Sequence, residues 1–191
     1  MGSNPIPRGV ATISVTKTPS ANAMRVLEAA AIVHDVGRRK SANGHLKRGY
    51  RMICKLKPPL GWSDEELRCV AAVARYHRGG LPQKRDSYFV GLSERRCSGL
   101  LPVIGILRLA NAFDSTHDGK VTRISVEQND GTLTVRGEGL EEISATAERV
   151  ARARYLLEAV SGVNVRICPL LAKPAASSRV TRRGTQVAAG S

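Results

Sequence analysis

Aromatic residues are scarce in this sequence: they make up 4% of its 191 residues and include a single tryptophan. Proteins that bind single-stranded nucleic acid stack the bases on aromatic side chains, so the shortage counts against nucleic acid as a partner. Long apolar runs are missing too. The longest, LLPVIGIL at 100–107, is far shorter than the roughly 18 residues of a membrane-spanning helix. We therefore expect neither nucleic acid nor a membrane as partner.

Paired cysteines are also absent. The four cysteines are far apart and form no Cys-x-x-Cys pair, which counts against a thiolate zinc site. The N-terminal residues contain no apolar stretch of the kind that signals export. We expect a cytoplasmic protein whose cysteines are reduced and mostly packed. They are Cys54, Cys69, Cys97 and Cys168.

Positive charge is abundant, with a formal net charge of +14. Between Asp35 and Asp64 there are eight basic residues and no acid. So dense a cluster repels itself, and an anionic partner would relieve the repulsion. A basic face that meets only solvent is the alternative. The eight residues are Arg38, Arg39, Lys40, Lys47, Arg48, Arg51, Lys55 and Lys57.

Four stretches show the apolar periodicity of amphipathic helices. The third begins at a capping box, formed by Ser63 and by Glu66 three residues later, and its apolar line ends at His77. In the fourth, Asn111 and Asp114 continue the face of the apolar residues before them, which predicts polar groups directed at the core. The four stretches are 23–36, 45–56, 63–77 and 99–114.

After residue 120 the periodicity changes from helical to alternating. An Asn-Asp-Gly turn at 129–131 separates two alternating runs and predicts a β-hairpin over 122–137. A charged amphipathic helix over 141–160 and a strand over 163–168 follow. We therefore predict an α+β fold, mainly α, with a helical core and a small antiparallel sheet at its C-terminal end.

His34 and Asp35 are adjacent at the end of the first predicted helix. Imidazole and carboxylate ligands together suit Mn, Fe, Zn or Mg, and a helical core that holds such ligands can activate water. His45 and His77 lie at the ends of later predicted helices. Spacing alone leaves two interpretations open: a shared metal site, or histidines with a structural or surface role.

Several stretches of the sequence resemble the C-terminal helical domain of the exopolyphosphatase/guanosine-pentaphosphate phosphohydrolase (Ppx/GppA) family. That domain belongs to the HD superfamily of phosphohydrolases. The resemblance covers residues 24–168 and implies an HD-type domain at 23–170. Residues 1–22 lack clear periodicity and are expected to be irregular, and the Ser/Ala/Gly-rich, basic stretch at 171–191 is expected to be a disordered tail. The stretches are LEAAAIVHDVGRRK (27–40), GHLKRGYRMI (44–53), ELRCVAAVARYHRGGLP (66–82) and ILRLANAFDSTHDGKVTRISV (106–126).

The resemblance implies a divalent metal site. His34 and Asp35 match the His-Asp doublet of HD domains, while His45 and His77 match histidines that some HD enzymes use for a second metal. The set is incomplete, because Asn111 stands where a later aspartate is expected and residues 1–33 contain no histidine to match the first ligand. The metal expected at these residues is Mn, Mg, Fe or Zn.

In that family the phosphohydrolase reaction belongs to N-terminal, actin-like domains, and this sequence shows no Gly-rich phosphate loop of their kind. The resemblance therefore implies an accessory domain, with no catalytic residue of its own, that binds polyphosphate or a guanosine polyphosphate. It also implies exposed apolar surface, and hence a homodimer or a partner chain that carries the catalytic domains. The alternative is a metal-dependent HD phosphohydrolase acting on a nucleotide or a guanosine polyphosphate. The residues expected to bind the anion are Arg38, Arg39, Lys40, Lys47, Arg48, Arg51 and Arg78.

Overall fold

A computed structural model describes residues 20–39, 43–83 and 86–170 of the chain. Within these residues it contains five α-helices and three β-strands, which confirms the predicted α+β, mainly α, fold. The predictions for residues 1–19 and 171–191 lie outside the described residues. The elements are α1 (Ala21–Val33), α2 (His45–Ile53), α3 (Asp64–Arg75), α4 (Glu94–Phe113), β1 (Arg123–Asn129), β2 (Thr132–Glu138), α5 (Ala145–Ser161) and β3 (Asn164–Pro169).

Serine side chains set where the helices begin. The predicted capping box of α3 is present: the Ser63 side chain accepts from the backbone N–H of Glu66, and the Glu66 carboxylate accepts from the backbone N–H of Ser63. Ser20 caps α1, so residues 21 and 22 are helical and the prediction of an irregular segment through 22 was wrong there. Ser93 caps α4, which therefore begins at Glu94 rather than at 99.

The helix α4 joins two hydrophobic cores. Its first half packs with α1 and α3 around residues such as Val73 and Ile104. Its second half packs with α5 and the sheet around Phe113 and Val150. By length and apolar composition α4 is the one helix, among the described residues, that would suit a membrane span. Eight of its residues are buried in this fold, however, so we describe it as a core helix.

The three strands form one sheet in the order β1-β2-β3. The predicted hairpin is confirmed, since β1 and β2 are antiparallel with Val126 opposite Val135. Asp130 and Gly131 in the connecting turn both have positive φ, as a tight hairpin turn requires. The prediction of a wholly antiparallel sheet was wrong, because β3 is parallel to β2. The chain passes through α5 between these strands, and such a crossover returns a strand in the parallel direction.

Apolar side chains are exposed at several places on the described surface, whereas the apolar face of α3 is buried. Ile124 and Val126 are exposed on β1, which is an edge strand of the sheet. Others lie on helices and loops: Met24, Ile32, Met52, Leu56, Leu60, Val90 and Ile143. Singly exposed apolar residues are normal on protein surfaces, but Ile124 and Val126 are neighbours on one face of β1, and contiguous apolar surface favours association with another protein surface.

Candidate functional site

Two histidines end two neighbouring helices and are oriented in the same way. His34 is the C-cap of α1, and His77 follows the C-cap of α3. The Nδ1 atom of His34 lies 2.7 Å from the carbonyl oxygen of Ala31, and that of His77 lies 2.7 Å from the carbonyl oxygen of Ala74. The last carbonyls of a helix lack intrahelical partners, so both rings satisfy helix ends. Because a carbonyl only accepts, Nδ1 carries a proton in each ring, and in the neutral ring Nε2 keeps its lone pair.

These two lone pairs converge on the carboxylate of Asp35. His34 Nε2 lies 3.7 Å from Oδ2 of Asp35, and His77 Nε2 lies 3.5 Å from Oδ1. One ligand atom from each of the three residues falls within 4.8 Å of the others. The His77 side chain is 0% exposed and that of Asp35 is 26% exposed. We call His34, Asp35 and His77 the His-Asp cluster.

The His-Asp cluster contains buried acceptors that meet no donor. Among the described residues, neither Oδ1 of Asp35 nor Nε2 of His77 has a hydrogen-bond partner. A buried polar atom without a partner costs about 1–3 kcal/mol. A cation between these atoms would satisfy both of them. Two imidazoles and one carboxylate form a donor set that suits Mn, Fe or Zn, so the residues present fit a divalent metal.

The protonation states also suit metal binding. Burial lowers the pKa of His77 to about 4, which keeps the ring neutral at neutral pH. For Asp35, burial by itself raises the pKa, but the hydrogen bond from Arg38 and the nearby positive charges outweigh it and lower the pKa overall. Metal ligands must be deprotonated, and near pH 7 both residues are.

Two further residues lie outside the His-Asp cluster: His45, which was predicted as a ligand, and Asp114, which was considered as a substitute for the missing aspartate. His45 is buried at the start of α2, and its ring centre lies 6.1 Å from that of His77. It is therefore adjacent to the His-Asp cluster without belonging to it. Asp114 does not continue the core-facing stripe, contrary to the prediction. It lies just beyond the last residue of α4, its side chain is 73% exposed, and it contacts His117 instead.

A cavity rich in arginine lies next to the His-Asp cluster. It has a volume of about 350 Å³, and His77 and Asn111 contribute to its wall. No carboxylate from the described residues lines it. We call this cavity the arginine pocket. Its lining residues are His77, Arg78, Arg108, Asn111, Ala112, Ser115, Arg149, Arg152 and Ala153.

The arginines of the pocket differ in how firmly they are held. Arg108 donates to the carbonyl oxygens of Tyr76 and Gly79, both at 2.8 Å, and so it shapes the wall. Arg149 donates to the Ser115 hydroxyl at 3.2 Å. Arg78 is half-buried, and no hydrogen bond or ion pair joins it to another described residue. Arg78 is therefore ready to bind an anion.

The predicted anion-binding residues are spread over several places. Arg78 lines the arginine pocket, whereas Arg48 donates to the Gly37 carbonyl at 2.8 Å and stabilises the loop before α2. Lys47 and Arg51 are exposed on α2. Arg38 donates to Asp35. Lys40 and the side chain of Arg39 lie outside the described part of the chain.

Sequence reasoning missed three of the four pocket arginines. Arg149 and Arg152 belong to α5, and they reach the pocket only because α5 packs tightly along α4. At Gly105 the two helices are so close that an added Cβ atom would lie 3.1 Å from the Cα atom of Leu157. The spacing of Arg149 and Arg152 places them on one helix face, but spacing does not show which neighbour that face meets.

Comparison with known families gives one match. The family model described as "Ppx/GppA phosphatase, domain III" matches residues 10–142. The match covers more than half of the chain, so the chain belongs to the Ppx/GppA phosphatase family and the predicted family resemblance is confirmed. No curated protein matches the sequence significantly.

Proposed function

We propose that this member of the Ppx/GppA phosphatase family binds polyphosphate or another phosphate-rich anion, such as a guanosine polyphosphate, in the arginine pocket. The observation that carries the proposal is the pocket itself. Four arginines and no described carboxylate surround a cavity of about 350 Å³. Guanidinium groups bind phosphate oxygens in a bidentate manner, which gives geometric selectivity as well as attraction.

Within the pocket the arginines have distinct roles. Arg78, beside the buried His77, contacts the anion first because no described group competes for it. Arg149 and Arg152 close over the anion from α5. The only ion pair of Arg152 among the described residues is with Glu148 at 3.7 Å; both side chains are exposed, so the pair is weak and easily exchanged for a phosphate.

The proposal is tested by titrating the protein calorimetrically with polyphosphate of defined length in EDTA, which removes metal. The double substitution Arg78→Gln and Arg149→Gln is expected to weaken binding at least tenfold, because each lost phosphate contact costs on the order of 1 kcal/mol. The matched control is the double substitution Arg123→Gln and Arg166→Gln, at two exposed arginines of the strands β1 and β3. It removes the same type of charge outside the pocket and is expected to change the affinity by less than about twofold.

Salt dependence adds a second criterion. For binding through arginine–phosphate contacts, the logarithm of the binding constant falls linearly with the logarithm of the salt concentration, and the slope scales with the number of contacts. The double pocket variant is expected to show a shallower slope than the double control variant. Equal losses in the pocket variant and the control, or a flat slope in the unmodified protein, would refute the proposal.

A second candidate function is a metal-dependent HD phosphohydrolase acting on a nucleotide or a guanosine polyphosphate. The observation that favours it is the convergence of two Nε2 lone pairs on Asp35 beside the arginine pocket. His34, Asp35 and His77 would hold the metal, which when bound lowers the pKa of a coordinated water and polarises phosphoryl oxygens. Arg78 and Arg149 would orient the phosphate groups of the substrate.

Elemental analysis tests this second candidate. After equilibration with Mn, Mg, Fe or Zn and removal of free ions, about one bound ion per chain is expected for one of these metals. Asp35→Asn is expected to lose that ion. Asp130→Asn, the same chemical change in the hairpin turn, is expected to keep it, since Asn tolerates the turn conformation. If none of the metals binds, the second candidate fails while the anion proposal, tested in EDTA, is unaffected.

A further inference from the structure

Arg38 connects the His-Asp cluster to the loop that follows α4. Its Nη1 atom donates to Oδ2 of Asp35 at 2.9 Å and lies 3.2 Å from Nε2 of His117. The Nδ1 atom of His117 in turn lies 3.3 Å from a carboxylate oxygen of Asp114. Asp114 only accepts, so His117 carries its proton on Nδ1, and its Nε2 accepts from Arg38. Asp114 and His117 therefore hold Arg38 in place.

Arg38 occupies a carboxylate oxygen of Asp35 that a bound metal would need as a ligand. Oδ2 of Asp35 receives the hydrogen bond from Arg38 and also faces Nε2 of His34. The guanidinium is a permanent cation. A divalent metal bound by His34, Asp35 and His77 would be a second cation on the same carboxylate. Two cations that share one carboxylate within a few ångströms repel each other.

We infer that Arg38 is an internal counter-ion that competes with a divalent metal for Asp35, and that the Arg38–Asp35 ion pair must weaken before metal binds. This inference rests on the metal site of the second candidate function. Arg38 compensates the charge of Asp35 and leaves Oδ1 of Asp35 and Nε2 of His77 without donors. The ion pair therefore balances the charge of Asp35 but leaves two buried acceptors unsatisfied, as expected for a site that exchanges one cation for another.

Loss of the Arg38 guanidinium should raise the affinity of the site for metal. Removal of the guanidinium eliminates the competing cation but leaves all three ligand residues in place. Metal should then bind more tightly to Arg38→Gln than to the unmodified protein. A purely structural Arg38, which orients the carboxylate for metal, would have the opposite effect, because its loss would let Asp35 rotate.

The test is calorimetric titration of Mn²⁺ into metal-free protein. Arg38→Gln is expected to bind Mn²⁺ roughly tenfold more tightly than the unmodified protein, whereas Arg38→Lys, which keeps a cation, stays close to the unmodified value. The matched control is Arg136→Gln. Arg136 makes a similar ion pair, at 2.7 Å to Glu127 in the hairpin, so its loss should leave Mn²⁺ affinity unchanged. Circular dichroism and thermal melting establish that each variant folds.

Three results are decisive. Tighter Mn²⁺ binding in Arg38→Gln alone supports the inference. Unchanged or weaker binding in Arg38→Gln, at a stoichiometry of about one ion per chain, overturns it and leaves the metal site itself standing. Absence of Mn²⁺ binding in the unmodified protein and in every variant overturns both the inference and the second candidate function.

Discussion

The Nε2 atom of His77 lies 3.5 Å from Oδ1 of Asp35, and neither atom has a hydrogen-bond partner among the described residues. The neutral His77 ring donates its one N–H, from Nδ1, to the carbonyl oxygen of Ala74. Two buried acceptors therefore face each other, an arrangement that a cation between them would stabilise. The same histidine lines the arginine pocket. His77 thus joins the two parts of the site, one suited to a metal and the other to phosphate.

Burial of neutral His77 predicts a loss of stability in mild acid. Its pKa is about 4 in the folded protein against an ordinary value of 6.5. Between these values the unfolded chain holds a proton that the folded chain does not. The free energy of unfolding should therefore fall as the pH drops from about 6.5 towards 4, by at most about 1.4 kcal/mol per pH unit from this group. Denaturant titrations in EDTA at pH 7, 6 and 5 measure the slope.

Two histidine variants show which histidine causes this dependence of the free energy of unfolding on pH. His77→Gln should flatten it, whereas His117→Gln, which alters an exposed histidine, should leave most of it. Asp35 does not obscure the effect: its lowered pKa means that its own stabilising contribution is lost only in stronger acid, below about 3.8. The same slope in His77→Gln and in the unmodified protein would contradict a neutral, buried His77.

Asn111→Asp is predicted to strengthen metal binding and to weaken polyphosphate binding. Asn111 lies in the pocket wall together with His77. An added carboxylate there should strengthen metal binding roughly tenfold and weaken polyphosphate binding by a similar factor, because it attracts the metal and repels the phosphate. Calorimetry with Mn²⁺ and, separately, with polyphosphate in EDTA measures both. Asn129→Asp in the hairpin is the control, and a shift of both affinities in the same direction would refute the prediction.

Gly37 is predicted to be essential for the shape of the site. A Cβ atom on Gly37 would lie 2.2 Å from the carbonyl oxygen of His45 and 2.7 Å from the backbone nitrogen of Gly49. Gly37→Ala should therefore push α2 away and cost about 2 kcal/mol of stability or more. Gly49→Ala is the control from the other side of the contact, where a Cβ atom would meet nothing closer than 3.6 Å. Similar melting temperatures for both variants would contradict this account.

The exposed apolar residues of β1 predict self-association through the edge of the sheet. Ile124 and Val126 are both exposed on this edge strand. The double substitution Ile124→Lys and Val126→Lys should shift the protein towards monomer, because lysine on an edge strand discourages pairing with another strand. Sedimentation velocity over a concentration series measures the change. Val90→Lys, at an exposed site outside the sheet, serves as control; a monomeric unmodified protein would show the prediction to be wrong.

Features that depend on neighbouring residues were predictable from the sequence. The capping box of Ser63 and Glu66, the Asp130–Gly131 turn and the end of α5 at Gly162 all follow from contacts within a few residues, which a linear sequence displays directly. The family was predictable because its motifs are contiguous. The adjacency of His34 and Asp35 was visible for the same reason.

Features that depend on packing were not predictable. Sequence periodicity shows which face of an element is apolar but not which other element covers it. The direction of β3, the outward turn of Asp114 and the arrival of Arg149 in the pocket all depend on that choice. The sequence by itself determined the helices and strands, the ends set by local capping and turn residues such as Ser63 and Gly162, and the His34–Asp35 doublet. Only the tertiary structure brought His77 to that doublet and the arginines of α5 to His77, because contacts between distant residues arise from the complementarity of packed surfaces.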